Sequence, residues 1–215
     1  MKKLGLLLLL AFTCALAAPV VDAQNLSKSD QKRLKEMEKQ AKKEAKALAK
    51  EGWKVPSGEL PIEEQLLKAY TMSQMLDDYG LPLYVKGNAT AGGDTYDAAE
   101  FAASNLAKIN IAGALETSVT EMIDVKRVNQ QISAQEASSL TEVAGVSKAM
   151  VAQRIMRPIV VVHMRREKKK GLCEVQIMMF YNQELAMEAL TQAMRDNLSN
   201  DPELAGKLDE ILNRK

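Results

Sequence analysis

Histidine and cysteine are scarce in this 215-residue chain. A single histidine, His163, excludes the usual zinc sites, which combine several histidine and cysteine ligands. Of the two cysteines, Cys14 lies in an N-terminal segment that we expect to be removed, so the mature chain would keep Cys173 alone. No intramolecular disulfide could then form, and the free energy of folding would have to come from packing of the core.

An excess of charge of either sign is also lacking. The predicted mature chain loses Lys2, Lys3 and Asp22 and keeps 27 basic and 27 acidic side chains. Such a balance gives no electrostatic argument for binding nucleic acid. The basic run 168–170 has no aromatic residues interleaved with it, as stacking on bases would require. We therefore expect no nucleic-acid partner.

Complete phosphate-binding motifs are missing as well. Gly87 and Gly92 have the spacing of a Walker loop, but Gly93 and Asp94 stand where the lysine and the hydroxyl residue are needed. Acidic residues at the following helix start, such as Asp97, would repel a phosphate. We interpret Gly92-Gly93 as a sharp turn before a helix capped by Asp94, and we expect no cofactor.

The N-terminus has the pattern of a secretory signal. Two lysines precede the apolar run 4–12, which is too short to span a bilayer, and small residues follow. Cleavage after Ala23 is preferred, with cleavage after Ala17 as the alternative. A lipoprotein anchor on Cys14 is the weaker reading, because Thr13 stands where a small residue normally precedes the cysteine. We therefore expect export to the periplasm or to the periplasmic face of the outer membrane.

The rest of the chain divides by composition. After the signal peptide at 1–23, we predict a charged helical arm at 24–54 and an α+β domain at 55–199. A C-terminal helix at 200–215 completes the division. Residues 28–54 favour a helix by propensity, and Gly52 is its expected end.

Helix signals recur through the α+β domain. Pro61 begins a helix that Gly80 ends, and its apolar face is Ile62, Leu66, Ala69, Met72 and Leu76. A long helix at 95–125 would bury Ala102, Leu106, Ile109, Ala112, Leu115, Val119 and Met122. A capping box of Ser133 and Glu136 opens a helix at 134–152. Caps at Asn182 and at Asp201-Pro202 open the last two helices.

Alternating apolar residues predict three strands. The first covers residues 83–91, and the pair 159–165 and 172–181 forms a hairpin across a polar connection that ends in glycine. Val160, Val162 and Met164 are expected to share one face. Strands separated by helices and followed by a hairpin indicate an α+β fold: a small antiparallel sheet of about three strands, with long helices on one face and an N-terminal charged helix.

Cys173 and His163 are the one candidate nucleophile pair. If the apolar faces of the hairpin strands align, the two side chains point to opposite sides of the sheet. We therefore interpret Cys173 as a core residue and His163 as a surface residue of its strand. Carboxylates are plentiful but scattered over predicted helix surfaces, so we expect neither catalytic nor metal-binding residues.

A row of lysines follows one side of the predicted arm helix: Lys35, Lys39, Lys42, Lys46 and Lys50. Like charges at this spacing repel each other along a helix. Two interpretations remain open. The row is either the solvated side of an arm helix or a contact with an anionic surface, such as lipid or another protein.

The segments "GNATAGGDTYDAAEFAASNLAKINIAGALETSV" and "RPIVVVHMRREKKKGLCEVQIMMFY" together resemble a pattern of envelope proteins. Asn105, Ala107, Ile111 and Ala112 occupy its Asn-x-Ala-x-x-x-Ile-Ala positions. The chain is similar to uncharacterised exported envelope proteins of Gram-negative gut anaerobes and, more distantly, to small outer-membrane lipoproteins and flagellar-assembly components. The resemblance covers residues 40–190 and implies a helix-on-sheet fold, a structural or assembly role and no known catalytic residues.

The sequence therefore favours an exported, non-enzymatic envelope protein with a structural, assembly or protein-interaction role. Its partners would be other envelope proteins, whose identity the sequence does not give, and self-association is left open. The alternative is a periplasmic module that binds lipid or a small ligand, with peripheral membrane contact through the lysine row.

Overall fold

A computed structural model describes residues 27–168 and 171–212 of the chain. The predicted signal peptide, with its cleavage sites at Ala23 and Ala17 and the alternative anchor at Cys14, lies outside the described residues. One compact unit begins at Met37 and contains the rest of the described chain, whereas residues 27–36 belong to a separate unit.

Six helices and three strands make up the described part of the chain. In order they are α1 (Lys28–Lys50), α2 (Ile62–Met72), β1 (Tyr84–Gly93), α3 (Tyr96–Val128), α4 (Ala134–Arg154), β2 (Ile159–Glu167), β3 (Cys173–Asn182), α5 (Gln183–Asn197) and α6 (Pro202–Leu212). The strands form one antiparallel sheet in the order β1-β3-β2. The predicted α+β class, three-stranded sheet and hairpin of the last two strands are confirmed.

Helices cover both faces of the sheet, not one face as the sequence analysis expected. Successive side chains of a strand point to opposite faces. Ile177 and Met179 of β3 enter a large core with α3, α4, α5 and α6. Phe180, from the other face of β3, packs with Leu66 of α2 and with Trp53 in a smaller second core. The central strand is therefore enclosed between two apolar clusters.

Small residues let α3 lie directly on β1. A Cβ atom added at Gly87 would stand 2.0 Å from the carbonyl oxygen of Ala107, so only glycine fits there. On α3, Ala99, Ala103 and Ala107 recur every four residues, and all three are fully buried.

The predicted buried stripe of α3 is wrong in part. Ala112, Leu115 and Val119 are buried as expected. Leu106 and Ile109 are 43% and 38% exposed, and Ala102 and Met122 are only half-buried. The N-terminal half of α3 instead turns Ala99, Ala103 and Ala107 to the sheet. Ile111, one turn further on, packs beside Gly87, where the strand has no side chain.

The start of α3 also differs from the prediction. Thr95, not Asp94, caps the helix, and its hydroxyl oxygen accepts a hydrogen bond from the Ala98 N–H at 3.2 Å. Gly92 and Gly93 extend β1 and do not form a turn. A Cβ atom at Gly93 would meet the Ala99 nitrogen at 2.7 Å, so this glycine permits close approach of the helix start.

Other local predictions are confirmed. Ser133 and Glu136 form the capping box of α4, and Asn182 caps α5 through the Leu185 N–H at 3.0 Å. Gly52 has a φ angle of +88° just after α1, as a helix-ending glycine requires. Asp201 accepts a hydrogen bond from the Leu204 N–H at the start of α6. Each of these helix ends depends on residues within a few positions of one another, so the sequence alone is enough to predict them.

Helix α2 is shorter than predicted. It ends at Met72 rather than near Gly80, and Leu76 is 59% exposed instead of buried. The hydroxyls of Thr71 and Ser73 donate to helix carbonyls four residues earlier, which satisfies the last turn locally. The chain then leaves the helix into a separate loop.

Candidate functional site

The five predicted contact lysines are all exposed on α1. Lys39, Lys42, Lys46 and Lys50 follow one side of the helix within the compact unit, and Lys35 is exposed in the separate unit 27–36. Another side of the compact unit's part of α1 is apolar, with Ala41, Ala45 and Leu48 in the second core. None of the ion pairs among the described residues includes these lysines. They are therefore accessible to an anionic surface.

His163 is buried at the centre of a partly exposed polar cluster, which corrects its interpretation as a surface residue. It is 9% exposed, and its Nε2 atom lies 2.9 Å from the hydroxyl oxygen of Tyr96 and 3.5 Å from a carboxylate oxygen of Glu100. Its Nδ1 atom lies 3.5 Å from a carboxylate oxygen of Glu59. The His163 cluster is therefore His163 with Tyr96, Glu100 and Glu59.

The Tyr96 hydroxyl of this cluster holds its proton firmly. Burial and the neighbouring Glu100 raise the pKa of Tyr96 to about 12, although Arg165, whose guanidinium lies 5.5 Å from the ring centre, lowers it. At neutral pH the hydroxyl keeps its proton, and the direction of its hydrogen bond with the His163 ring is set by the tautomer of that ring. A general base needs a pKa near the working pH, so this tyrosine is unsuited to that role.

Cys173 and His163 lie on the same face of the sheet, contrary to the prediction. The register pairs His163 with Ile177 and Glu167 with Cys173. The prediction fails because the apolar rows of the two strands do not share a face: Val162 and Met164 lie in the second core, on the face opposite the large core that contains Cys173. A bulge between Val160 and Val162 also takes Val160 out of its predicted row, and Val160 is 47% exposed. Glu167, the partner of Cys173, is four residues from His163 along β2, so the two positions are separated by about 13 Å in the strand direction. Cys173 is buried in the large core, as predicted.

The loop between α2 and β1, residues 73–83, displays large apolar side chains to solvent. We call it the apolar loop. Tyr79 is 89% exposed, Leu76 59%, Met75 43% and Leu81 38%. This surface was not predicted from the sequence, because helical spacing places Leu76 on the buried face of a helix. The turn-forming run Asp77–Gly80 was the available signal.

Hydrogen bonds within the apolar loop hold its conformation. One carboxylate oxygen of Asp77 accepts from the N–H groups of Tyr79 and Leu81, at 2.9 and 2.8 Å. The Asp77 N–H donates to the Leu81 carbonyl at 2.7 Å, and the Leu83 N–H donates to Met75 at 2.9 Å. The apolar side chains are thus presented on an ordered turn, so a partner that binds them has little loop ordering to impose.

A groove of about 590 Å³ lies between α3 and α4. Ile109, Val146, Ala149 and Ala152 contribute apolar walls, and Lys148 forms an ion pair with Glu116 at 3.0 Å. The polar side chains of Asn105, Lys108 and Gln153 also line the groove.

Neither a metal cluster nor a membrane-spanning helix is found in the part of the chain that the structure describes. No group of three or more histidine, cysteine, aspartate or glutamate side chains there could hold a metal ion. The helices of residues 27–168 and 171–212 are each too short or too polar to cross a bilayer.

Comparison with protein-family models, with curated proteins and with solved structures gives no match. The resemblance to exported envelope proteins therefore stays a prediction.

Proposed function

We propose that this protein is an exported, non-enzymatic component of the cell envelope that acts through contacts with other proteins. The observation that carries the proposal is the apolar loop, which holds Tyr79 and Leu76 in solvent on a hydrogen-bonded turn. Exposed aromatic and aliphatic side chains on an ordered turn are the kind of anchor that dominates protein–protein binding energy. The N-terminal secretory pattern supports the placement in the envelope.

Charge in the apolar loop favours a protein partner over an anionic membrane. Asp78 is exposed beside Tyr79, and Asp77 lies at the base of the turn. Carboxylates next to the apolar anchors would be repelled by anionic lipid. A protein pocket with an apolar floor and a basic or hydrogen-bonding rim would accept the same surface. The partner is therefore proposed to be an envelope protein with such a pocket.

Capture from native envelopes tests the proposal. The tagged protein is compared with a loop variant, Tyr79→Ser with Leu76→Ser, and with the control Phe101→Ser. Phe101 is 71% exposed on α3, outside the loop. We expect a defined set of envelope proteins with the native chain and the control, and its loss from the loop variant. Far-UV circular dichroism should show the same helix content for all three.

Two results would contradict the proposal. The first is retention of every captured protein by the loop variant. The second is recovery of the intact chain in the cytoplasmic fraction after cell fractionation. The first result would exclude the apolar loop as the partner-binding surface, and the second would exclude the cell envelope as the location of the protein.

The alternative function is binding of anionic lipid, and the lysine row favours it. Lys39, Lys42, Lys46 and Lys50 are exposed along one side of α1 and outside any ion pair of the described residues. Each basic side chain near an anionic membrane contributes about 1 kcal/mol of attraction. Co-sedimentation with vesicles that contain anionic lipid should then fall when the four lysines are changed to glutamine. Equal sedimentation of both chains would exclude this alternative.

A further inference from the structure

The two edge strands of the sheet, β2 and β1, differ in how far other parts of the chain form hydrogen bonds to their outer side. Along β2, the His163 N–H donates to the Gln65 side chain at 2.8 Å. Arg165 exchanges two backbone hydrogen bonds with Lys54, both 2.8 Å long. Side chain and backbone thus cover the β2 edge. The other edge is β1, a regular ten-residue strand paired with β3 on its inner side.

The backbone groups of β1 that face outward can be assigned. Because His163 turns its N–H away from β3, its partner Ile177 turns its own backbone groups toward β1, where it pairs with Ala89. The neighbouring residues of β1, Asn88 and Thr90, therefore point their N–H and C=O groups outward. Among the residues described, the outward groups of β1 receive one hydrogen bond, from the Asn110 side chain to the Asn88 carbonyl at 2.6 Å.

Asn110 also marks which side of α3 lies beside this open edge. With 3.6 residues per turn, the positions flanking Asn110 on its exposed side form what we call the α3 stripe. Its members are Ala102, Leu106, Ile109, Gly113, Thr117 and Thr120. On the side toward α4, Ile109 also forms a wall of the groove, and the Lys148 side chain lies beside Gly113. No member of the stripe carries a charge, although 27% of the chain is charged. Leu106 and Ile109 are the two large apolar residues that the sequence predicts to be buried but that the single chain leaves 43% and 38% exposed.

We propose that the β1 edge and the α3 stripe together bind the same surface of a second copy of this chain. The two β1 strands would pair antiparallel about a two-fold axis, and the sheet would continue across the interface as six strands. The two α3 helices would pack through their stripes. This interface is isologous, with the same patch on both subunits. It is independent of the function proposed for the apolar loop.

Strand and helix spacing agree in this arrangement. Helix α3 packs on both β1 and β3, so its axis lies above the space between them. Paired strands are about 4.8 Å apart, which puts α3 about 4.8 Å from a two-fold axis at the β1 edge. The two α3 helices would then be about 10 Å apart, within the separation at which helices pack. A lone extended peptide would pair with the edge but would leave the outer part of the stripe uncovered.

The size of the surface is sufficient for a stable dimer. Ten residues of β1 give an edge about 33 Å long. A strand with a helix packed on it is about 20 Å deep. Two such surfaces bury roughly 1,300 Å² in total, which lies in the range of specific protein interfaces. A two-fold axis at Ala89 would set Lys86 opposite the partner's Gly92, so the lysines would not meet.

Sedimentation velocity of the purified protein and three variants tests the dimer. Leu106→Glu would bury an unpaired carboxylate in the interface. Thr90→Pro would remove one outward N–H that the single chain does not use. The control, Leu185→Glu, changes the same residue type at a similar exposure of 50% on α5. Far-UV circular dichroism verifies that each variant is folded.

We expect the native chain and Leu185→Glu to sediment at twice the monomer mass. Leu106→Glu and Thr90→Pro should raise the dissociation constant by about 100-fold. A native chain that stays monomeric at about 100 µM would overturn the proposal, since an interface of this size should associate at that concentration. A dimer unaffected by Leu106→Glu and Thr90→Pro, or one lost equally with Leu185→Glu, would overturn it too. None of these results would alter the partner capture by the apolar loop.

Discussion

Replacing Gly87 with alanine tests how closely α3 approaches β1. An added Cβ atom would lie 2.0 Å from the Ala107 carbonyl oxygen and 2.8 Å from Cγ1 of Ile111. The Ile111 side chain could rotate, but the Ala107 carbonyl belongs to the backbone of α3. The strand and the helix would have to separate to relieve the overlap.

The expected loss of stability is about 2–3 kcal/mol. Overpacking of a well-packed core costs about 1–3 kcal/mol, and a clash with helix backbone belongs at the upper end. The smaller conformational entropy of an unfolded alanine offsets about 0.4–1 kcal/mol of this cost. For a chain of this length the net change corresponds to a Tm lower by roughly 4–12 °C.

Gly92 in the same strand supplies the matched control. A Cβ atom there would have its nearest contact at 3.8 Å, which is ordinary van der Waals distance. Urea and thermal denaturation, followed by far-UV circular dichroism, should show Gly92→Ala within about 1 kcal/mol of the native chain. Equal stability of Gly87→Ala and Gly92→Ala would refute the close helix–strand contact.

Three further perturbations give distinct results. Burial, together with Glu44 and Glu100 respectively, raises the pKa of Tyr70 and of Tyr96 from 10 to about 12. Because both hydroxyls hold their protons more tightly in the folded protein than in the unfolded chain, stability to urea should fall as the pH rises from 10 to 12. The fall should be smaller in the double variant Tyr70→Phe, Tyr96→Phe. The Lys168 ammonium and the Arg166 guanidinium lower the pKa of Glu174. Stability should therefore decline as the pH falls below 4.5 toward that lowered value, and Glu174→Gln should reduce this decline. Gln65→Ala would leave the buried His163 N–H unpaired and should cost about 1–3 kcal/mol in urea denaturation.

Elements with local signals were predictable from the sequence. The capping box of Ser133 and Glu136, the Asn182 cap and the Gly52 stop each depend on residues a few positions apart. The hairpin strands were predictable for the same reason, since alternation is read within one segment. These signals were enough for the element order and for the α+β class.

Features that depend on distant residues were not predictable in this way. The buried face of α3 depends on Gly87 of β1, because the absent side chain there leaves room for the Ala107 backbone and the Ile111 side chain. Alanines at every fourth position from Ala99 to Ala107, read together with that glycine, would have given the right face. The hairpin register pairs His163 with Ile177, so His163 lies on the face of the large core, whereas Val162 and Met164 lie in the second core. Alternation within a single strand does not show which face of the neighbouring strand each of its rows shares.

The apolar loop and the α3 stripe could not be predicted from the sequence for a related reason. Leu76 and Leu106 both satisfy helical spacing, so periodicity assigns them to the core. The structure exposes them because α2 ends early and α3 turns its alanines inward. Both exposed surfaces are therefore visible only once the packing of neighbouring elements is known.

Photo-cross-linking in living cells tests the central claim, action through protein contacts at the apolar loop, most directly. A photoreactive amino acid replaces Tyr79 in one chain and Phe101 in another, since both side chains are exposed. The account predicts defined adducts with one or a few envelope proteins from position 79 and none of these from position 101. No adduct from position 79, or the same adducts from both positions, would contradict it.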